Sequence, residues 1–305
     1  MESWVKSARD QLLNLRGSAP GWGYREGGEP ATEPTVLASL GLLASATPNV
    51  IDPLALSSAQ WLKSIQQSDG AVGISAQLQT PEWPTSYALL LWQAVGSASA
   101  EVTRGCQWLL QHKGMTFPNP KDGTLGHDTT IPGWSWVNET YSWLEPTAMA
   151  VIALRKAGFA DHPRVRLGVA LINDRVIPEG GWNFGNNVTF GTSLRPKPAP
   201  TGMALVALAD GAEPTPAIEK SLEYLSRELV KVRSAESLGW GLLGLMAWGR
   251  SPTDAPQWLD ESTKRVLPRP DAAMQLGCLL MTSSARTLDY CGALRPKGAG
   301  HASRS

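Results

Sequence analysis

Two Glu-Pro-Thr triplets, Glu33-Pro34-Thr35 and Glu145-Pro146-Thr147, hold the residues best suited to chemistry. Each sets a carboxyl group at the start of an apolar run. A carboxyl in such surroundings that keeps its proton can serve as a general acid. Glu145 is the better placed, because Trp134, Trp136, Tyr141 and Trp143 precede it closely. Their π faces favour positive charge, so an acid among them suits a reaction that passes through a cation. A structural reading competes. At a helix N-terminus an ionised carboxylate is favoured by the dipole and by free amides, which lowers its pKa. The recurrence of the triplet at Glu33 fits that reading.

Other candidates are sparser. His127-Asp128 could do acid–base work in a long loop. Arg195 and Lys197, in "SLRPKPAPT", could meet a diphosphate where helix N-termini converge. Asp289, Cys291 and His301 have a zinc-like spacing but lie past the last apolar segment, and Cys106 and His112 would point to different helix faces. No phosphate loop, nucleophile elbow or His-x-x-x-His pair is present. Neither a metal nor a cofactor is therefore expected. Three scattered cysteines give no disulfide framework, and 27 basic against 27 acidic residues argues against nucleic acid. The N-terminal "MESWVKSARDQLLNLR" has no signal-peptide core, and no apolar stretch would span a membrane. The chain is expected to be cytoplasmic.

These residues sit in a repeat. A glycine-aromatic turn, a variable loop, Pro-Thr and an apolar segment recur around Thr35, Thr85, Thr147 and Thr201. An amphipathic helix precedes each unit, as in "SSAQWLKSIQQ" and "AIEKSLEYLSREL". Two weaker units follow, giving six helical hairpins. The first and last apolar segments are as apolar as the middle ones, so a closed double ring fits better than an open array with polar caps. The expectation is an all-α (α/α)6 toroid over residues 1–282, amphipathic helices outside and apolar ones inside. A flexible tail is expected over 283–305. Pro suits the first turn of an apolar helix, and Thr beside it could satisfy free amides there.

The motifs Asp69-Gly70 with Gly73, Gly133-Trp134, and Gly181-Trp182-Asn183-Phe184-Gly185, with the Pro-Thr starts, resemble the prenyltransferase and squalene-cyclase repeat family. The resemblance implies a single-barrel, terpenoid-cyclase-like toroid that binds an isoprenoid or similar apolar molecule in a central cavity. If it is an enzyme, it would cyclise that ligand by protonation. Glu145, two residues before Thr147, matches the position of the family's catalytic Asp, although Trp143 and Pro146 replace the motif's other acids. Trp134, Trp136, Tyr141 and Trp143, with Trp22, Tyr24, Trp182 and Phe184 in matching turns, would line the cavity rim; packing between hairpins is the other reading for the turn aromatics. Two alternatives stay open. One is a non-catalytic toroid for binding or assembly, with room for a protein partner. The other is a carbohydrate-active (α/α)6 enzyme using Glu139, Glu145 or Asp128.

Overall fold

In the computed structural model the described residues are 2–47, 50–120 and 124–295. His301 and the end of the expected tail lie outside them. Twelve helices alternate between two kinds. In α9 (Pro216–Glu228) Ile218, Ser221, Leu222 and Leu225 are buried at three- and four-residue spacing, while Lys220, Glu223 and Arg227 face water. Helices α1 (Ser3–Arg16), α3 (Pro53–Ile65), α5 (Ser99–Gln111), α7 (Pro163–Asp174) and α11 (Ala255–Val266) carry similar single stripes. In contrast, α6 (Leu144–Lys156) is buried without a break from Leu144 to Leu154. The same holds for most of α2 (Thr32–Ser45), α4 (Thr85–Ala94), α8 (Pro198–Leu208), α10 (Ala235–Ala247) and α12 (Ala272–Met281). A helix that is apolar all round must be covered all round, so this second kind forms the inner layer.

The inner helices pack in chain order, and α12 closes back onto α2. Each outer helix lies across the joint between two inner neighbours; α1 covers the closing joint, touching α12 and α2. The product is a closed (α/α)6 ring. Two joints are tight because glycine faces backbone. A Cβ on Gly277 would stand 2.5 Å from Leu37 O, and one on Gly202 would run into Trp240 O. These close approaches draw the inner helices together. Residues 89–92, 148–154 and 203–207 are each no more than 1% exposed. A side chain bordering a water-sized void would show more. The middle of the ring is thus filled by its own side chains, and the expected hollow is absent there.

The Pro-Thr threonines do something other than cap their helices. Thr35, Thr85, Thr147 and Thr201 each accept the backbone N–H of the preceding turn, from Trp22, Val72, Trp134 and Trp182, at 2.9 Å. Each hydroxyl also lies within 3.1–3.3 Å of the same residue's carbonyl, to which it can donate. One hydroxyl therefore pins each turn against the inner helix that follows it. Part of the segment after residue 282 packs against the ring. Arg286–Tyr290 forms α13, with Thr287 and Leu288 buried and Arg286 donating to Ala44 O and Ala46 O at the end of α2.

Candidate functional site

Alternate inner helices carry a glutamate as their second residue: Glu33 on α2, Glu145 on α6 and Glu236 on α10. The ring brings these N-termini to one mouth, close enough for the carboxyl groups to repel one another. Tyr87, from α4, donates to Glu145 Oε1 at 3.2 Å, and Tyr24 donates to Glu33 Oε2 at 2.9 Å. Burial, reinforced by the charges of Glu33 and Glu236, pushes Glu145 up to about 8; the Tyr87 hydrogen bond pulls the other way. Burial likewise raises Glu33 to about 7, with Tyr24 opposing and Glu236 adding to it. Glu236 is raised by burial alone. The helix N-terminus was expected to hold Glu33 and Glu145 ionised. Desolvation and like charge outweigh it, and Glu145 is mostly a neutral acid at pH 7. Beneath them the buried Cys278 thiol is pushed far up by desolvation and by all three carboxylates.

The aromatic residues divide into two groups. Trp22, Trp134 and Trp182 are at most 4% exposed, and their indole N–H groups donate to Leu12 O, Leu109 O and Ile172 O of the outer helices. Arg164 stacks on Trp134 at 3.5 Å and donates to His112 O, Pro132 O and Gly133 O. These three buried tryptophans thus peg the turns to the outer helices. Tyr24, Trp143 and Phe184 are about half exposed. The 184 turn is tied to the start of α6 by Leu144 N–H donating to Phe184 O at 2.9 Å. Trp136 meets Trp83 edge-on at 4.7 Å, and Trp83 meets Tyr87 edge-on at 5.6 Å, so an aromatic file leads inward towards Glu145. Tyr141 lies instead on the long loop, against Phe117.

The remaining candidates fall elsewhere. Asp128 accepts from Asn119 Nδ2 and from Thr130 N–H and Oγ1–H, which hold its pKa down and fix its own turn. His127 is buried beside Arg175 in a separate cavity. Arg195 and Lys197 are exposed on the approach to α8. Glu139 is exposed on the long loop, with φ of 59°. Among the described residues no three His, Cys, Asp or Glu side chains could hold one metal ion, and no helix is long and apolar enough to cross a membrane. At the opposite end of the ring a cavity of about 650 Å³ opens between the C-terminal ends of α2, α10 and α12, bordered by Trp4, Leu242, Met246 and Leu259.

Sequence reasoning missed Glu236, Tyr87 and Trp83. Glu236 could have been found by asking which inner helices carry an acid at the position of Glu33 and Glu145. Its unit lacks the Pro-Thr marker, which hid the match. Tyr87 is one polar atom inside an apolar run, and nothing in the spacing marks it.

This geometry has relatives among solved structures. The type II terpene cyclase MstE from Scytonema superposes with a TM-score of 0.61 at 16% identity, over 88% of this chain and 79% of that one. The fold is a terpenoid-cyclase-like α/α toroid. A protein from Actinoplanes gives 0.60 at 16% identity, over 95% and 98% of the two chains. An α-1,6-mannanase of Salegentibacter, in an inactive variant with two adjacent aspartates replaced and mannotetrose bound, gives 0.61 at 10% identity, over 94% and 100%. A variant of MstE is also known with geranylgeranyl dihydroxybenzoate bound as substrate, at a TM-score of 0.58 and 14% identity, over 88% and 79%. No protein-family model and no curated protein matches the sequence.

Proposed function

We propose that this chain is a ligand-binding toroid whose carboxyl-lined mouth, and not its middle, takes an apolar, isoprenoid-like molecule. One observation carries the reading. Glu33, Glu145 and Glu236 converge at the mouth with raised pKa values, and half-exposed Tyr24, Trp143 and Phe184 stand around them. An acid that holds its proton, as Glu145 does at pH 7, costs less to cover with an apolar ligand than an ionised one. The geranylgeranyl compound held by the MstE variant supports the ligand class. The filled axis weighs against cyclisation deep in the ring, because a carbocation needs a space closed to water.

A second reading rests on Glu145 alone. Neutral at pH 7 and positioned two residues before Thr147, it could donate a proton to an alkene lying across the mouth. The carbohydrate reading is weaker. A glycosidase pair works with one acid and one carboxylate, whereas Glu33 and Glu145 are shifted the same way. This chain also has no two adjacent aspartates of the kind replaced in the mannanase variant.

The test is calorimetric titration with geranylgeraniol, backed by native mass spectrometry. The wild type should bind. Trp143→Ala should weaken binding about tenfold or more, with circular dichroism unchanged. Equal binding by Trp143→Ala, or no binding at all, would remove the mouth as the site. Glu145→Gln should keep binding, and it should abolish any cyclised product if the second reading holds.

A further inference from the structure

The ring is less well filled at the end opposite the mouth. There the cavity of about 650 Å³ opens at the seam where the first and last hairpins meet. Trp4 and Val5 from the start of α1, Leu242 and Met246 from α10, and Leu259 from α11 form its apolar wall. Ser45, Ser251 and Ser283, at or just past the ends of α2, α10 and α12, are too short to close it. A concave, mostly apolar space of this size is in the range that holds small organic ligands.

Three charged side chains border it: Glu2, Arg250 and Arg286. Two of them have their charge answered. Glu2 stands at the N-cap of α1, where the helix end favours a carboxylate, and Trp4 Nε1 donates to it. Arg250 pairs with Glu219. Arg286 differs. Its Nε donates to Ser284 Oγ at 3.3 Å and its Nη2 to Ala44 O and Ala46 O, all of them neutral acceptors. These bonds hold the guanidinium against the end of α2. Among the described residues no carboxylate pairs with it, and Nη1 has no hydrogen-bond partner. Nη1 also keeps accessible surface, since it is not among the unpartnered atoms that are sealed from solvent.

The helix ends around the cavity offer a cation little. Leu245 O of α10 accepts from Trp248 N–H and Arg250 N–H, Leu279 O of α12 from Thr282, and Leu280 O from Ser283. What is left for a ligand is a fixed N–H donor carrying a full positive charge beside an apolar wall. An ammonium would meet Arg286 with like charge, and an alcohol would leave that charge unanswered. A carboxylate matches both the donor and the charge. We propose that this cavity is a binding site for a small amphiphile of the medium-chain carboxylate class, whose carboxylate accepts from Arg286 Nη1–H and whose chain lies against Trp4, Leu242, Met246 and Leu259.

The site is independent of the mouth and is tested with other probes. Octanoate is titrated into the full chain by calorimetry and saturation-transfer NMR, with acetate, 1-octanol and octylammonium as controls. Octanoate should bind with Kd below about 0.3 mM. Acetate keeps the head without the chain, 1-octanol keeps the chain without the charge, and octylammonium reverses the charge. Each should bind at least tenfold more weakly. Arg286→Met should weaken octanoate at least tenfold and leave 1-octanol as it was. Ser251→Trp, at an exposed residue on the cavity wall, should block octanoate while leaving the fold and geranylgeraniol binding intact. Trp143→Ala, at the mouth, should leave octanoate binding intact. Binding of acetate, 1-octanol or octylammonium to the wild type as tight as that of octanoate would overturn the proposal without recourse to any variant. So would octanoate binding that Ser251→Trp leaves unchanged or that Trp143→Ala removes, or no octanoate binding at all.

Discussion

The glutamates at the mouth make a claim about single protons, and it can be read as stability. Glu145 titrates near its ordinary 4.5 when unfolded and near about 8 when folded. The native state therefore holds the proton more tightly. The stability this contributes is complete below the unfolded pKa and is lost as pH rises through the folded one. Glu33 behaves alike, with a window that closes near about 7. The melting temperature should therefore fall between about pH 5 and about pH 8.5. Glu145→Gln should flatten that fall. It should match the wild type at the acid end and exceed it at the alkaline end by on the order of a few kcal/mol. Scanning fluorimetry across the range decides it. A level profile would mean that both acids are ionised in the native state, and the neutral-mouth argument would go with them. The same proton predicts a pH dependence of binding. Geranylgeraniol should bind more weakly above about pH 8, because covering ionised carboxylates carries a desolvation cost. Glu145→Gln should lose much of that dependence.

At the scale of elements, the repeated threonine is the most consequential small device. Thr147 Oγ1 accepts from Trp134 N–H at 2.9 Å inside a fully buried joint. Valine there keeps the shape and strands the donor. Thr147→Val should cost about 1–3 kcal/mol, and Thr147→Ser should recover most of it, as read from urea unfolding midpoints. Equal stability of all three would show that the pin is idle. This device was only half legible in the sequence. The Pro-Thr spacing identified where inner helices begin, because proline and periodicity are local signals. What the hydroxyl bonds to depends on a turn thirteen to nineteen residues earlier, which no local pattern reports. The turn tryptophans were ambiguous for a related reason. A tryptophan on a turn has no periodicity to say which way it faces, and its indole N–H found an outer-helix carbonyl in Trp22, Trp134 and Trp182. Inner and outer helices, in contrast, were separable by eye, since one kind is striped and the other is not.

Over the whole molecule, what the sequence could not give was whether the ring is hollow. Composition says that the inner helices are apolar; it does not say how near they come. That depends on where glycines meet across a joint, and Gly41, Gly277, Gly202 and Gly244 are far apart in the chain. Closure itself yields a sharp prediction. Adding one methyl at Gly277 puts a carbon 2.5 Å from Leu37 O, and backbone on both sides cannot yield as a flexible side chain would. Gly277→Ala should therefore push α12 from α2 and destabilise by about 1–3 kcal/mol or more. The place of the damage is more telling than its size. In an open array a change in the last repeat would loosen its neighbour α10 and leave the first repeat untouched, because coupling runs only between adjacent units. In a closed ring α2 is itself a neighbour of α12. Native-state hydrogen exchange on Gly277→Ala should thus lose protection in α2 and α12 together, with α6 across the ring retaining it. Loss confined to α10 and α12 would mean that the seam between the first and last inner helices does not hold in solution. The mouth would then come apart as well, since Glu33 would no longer be held beside Glu145 and Glu236.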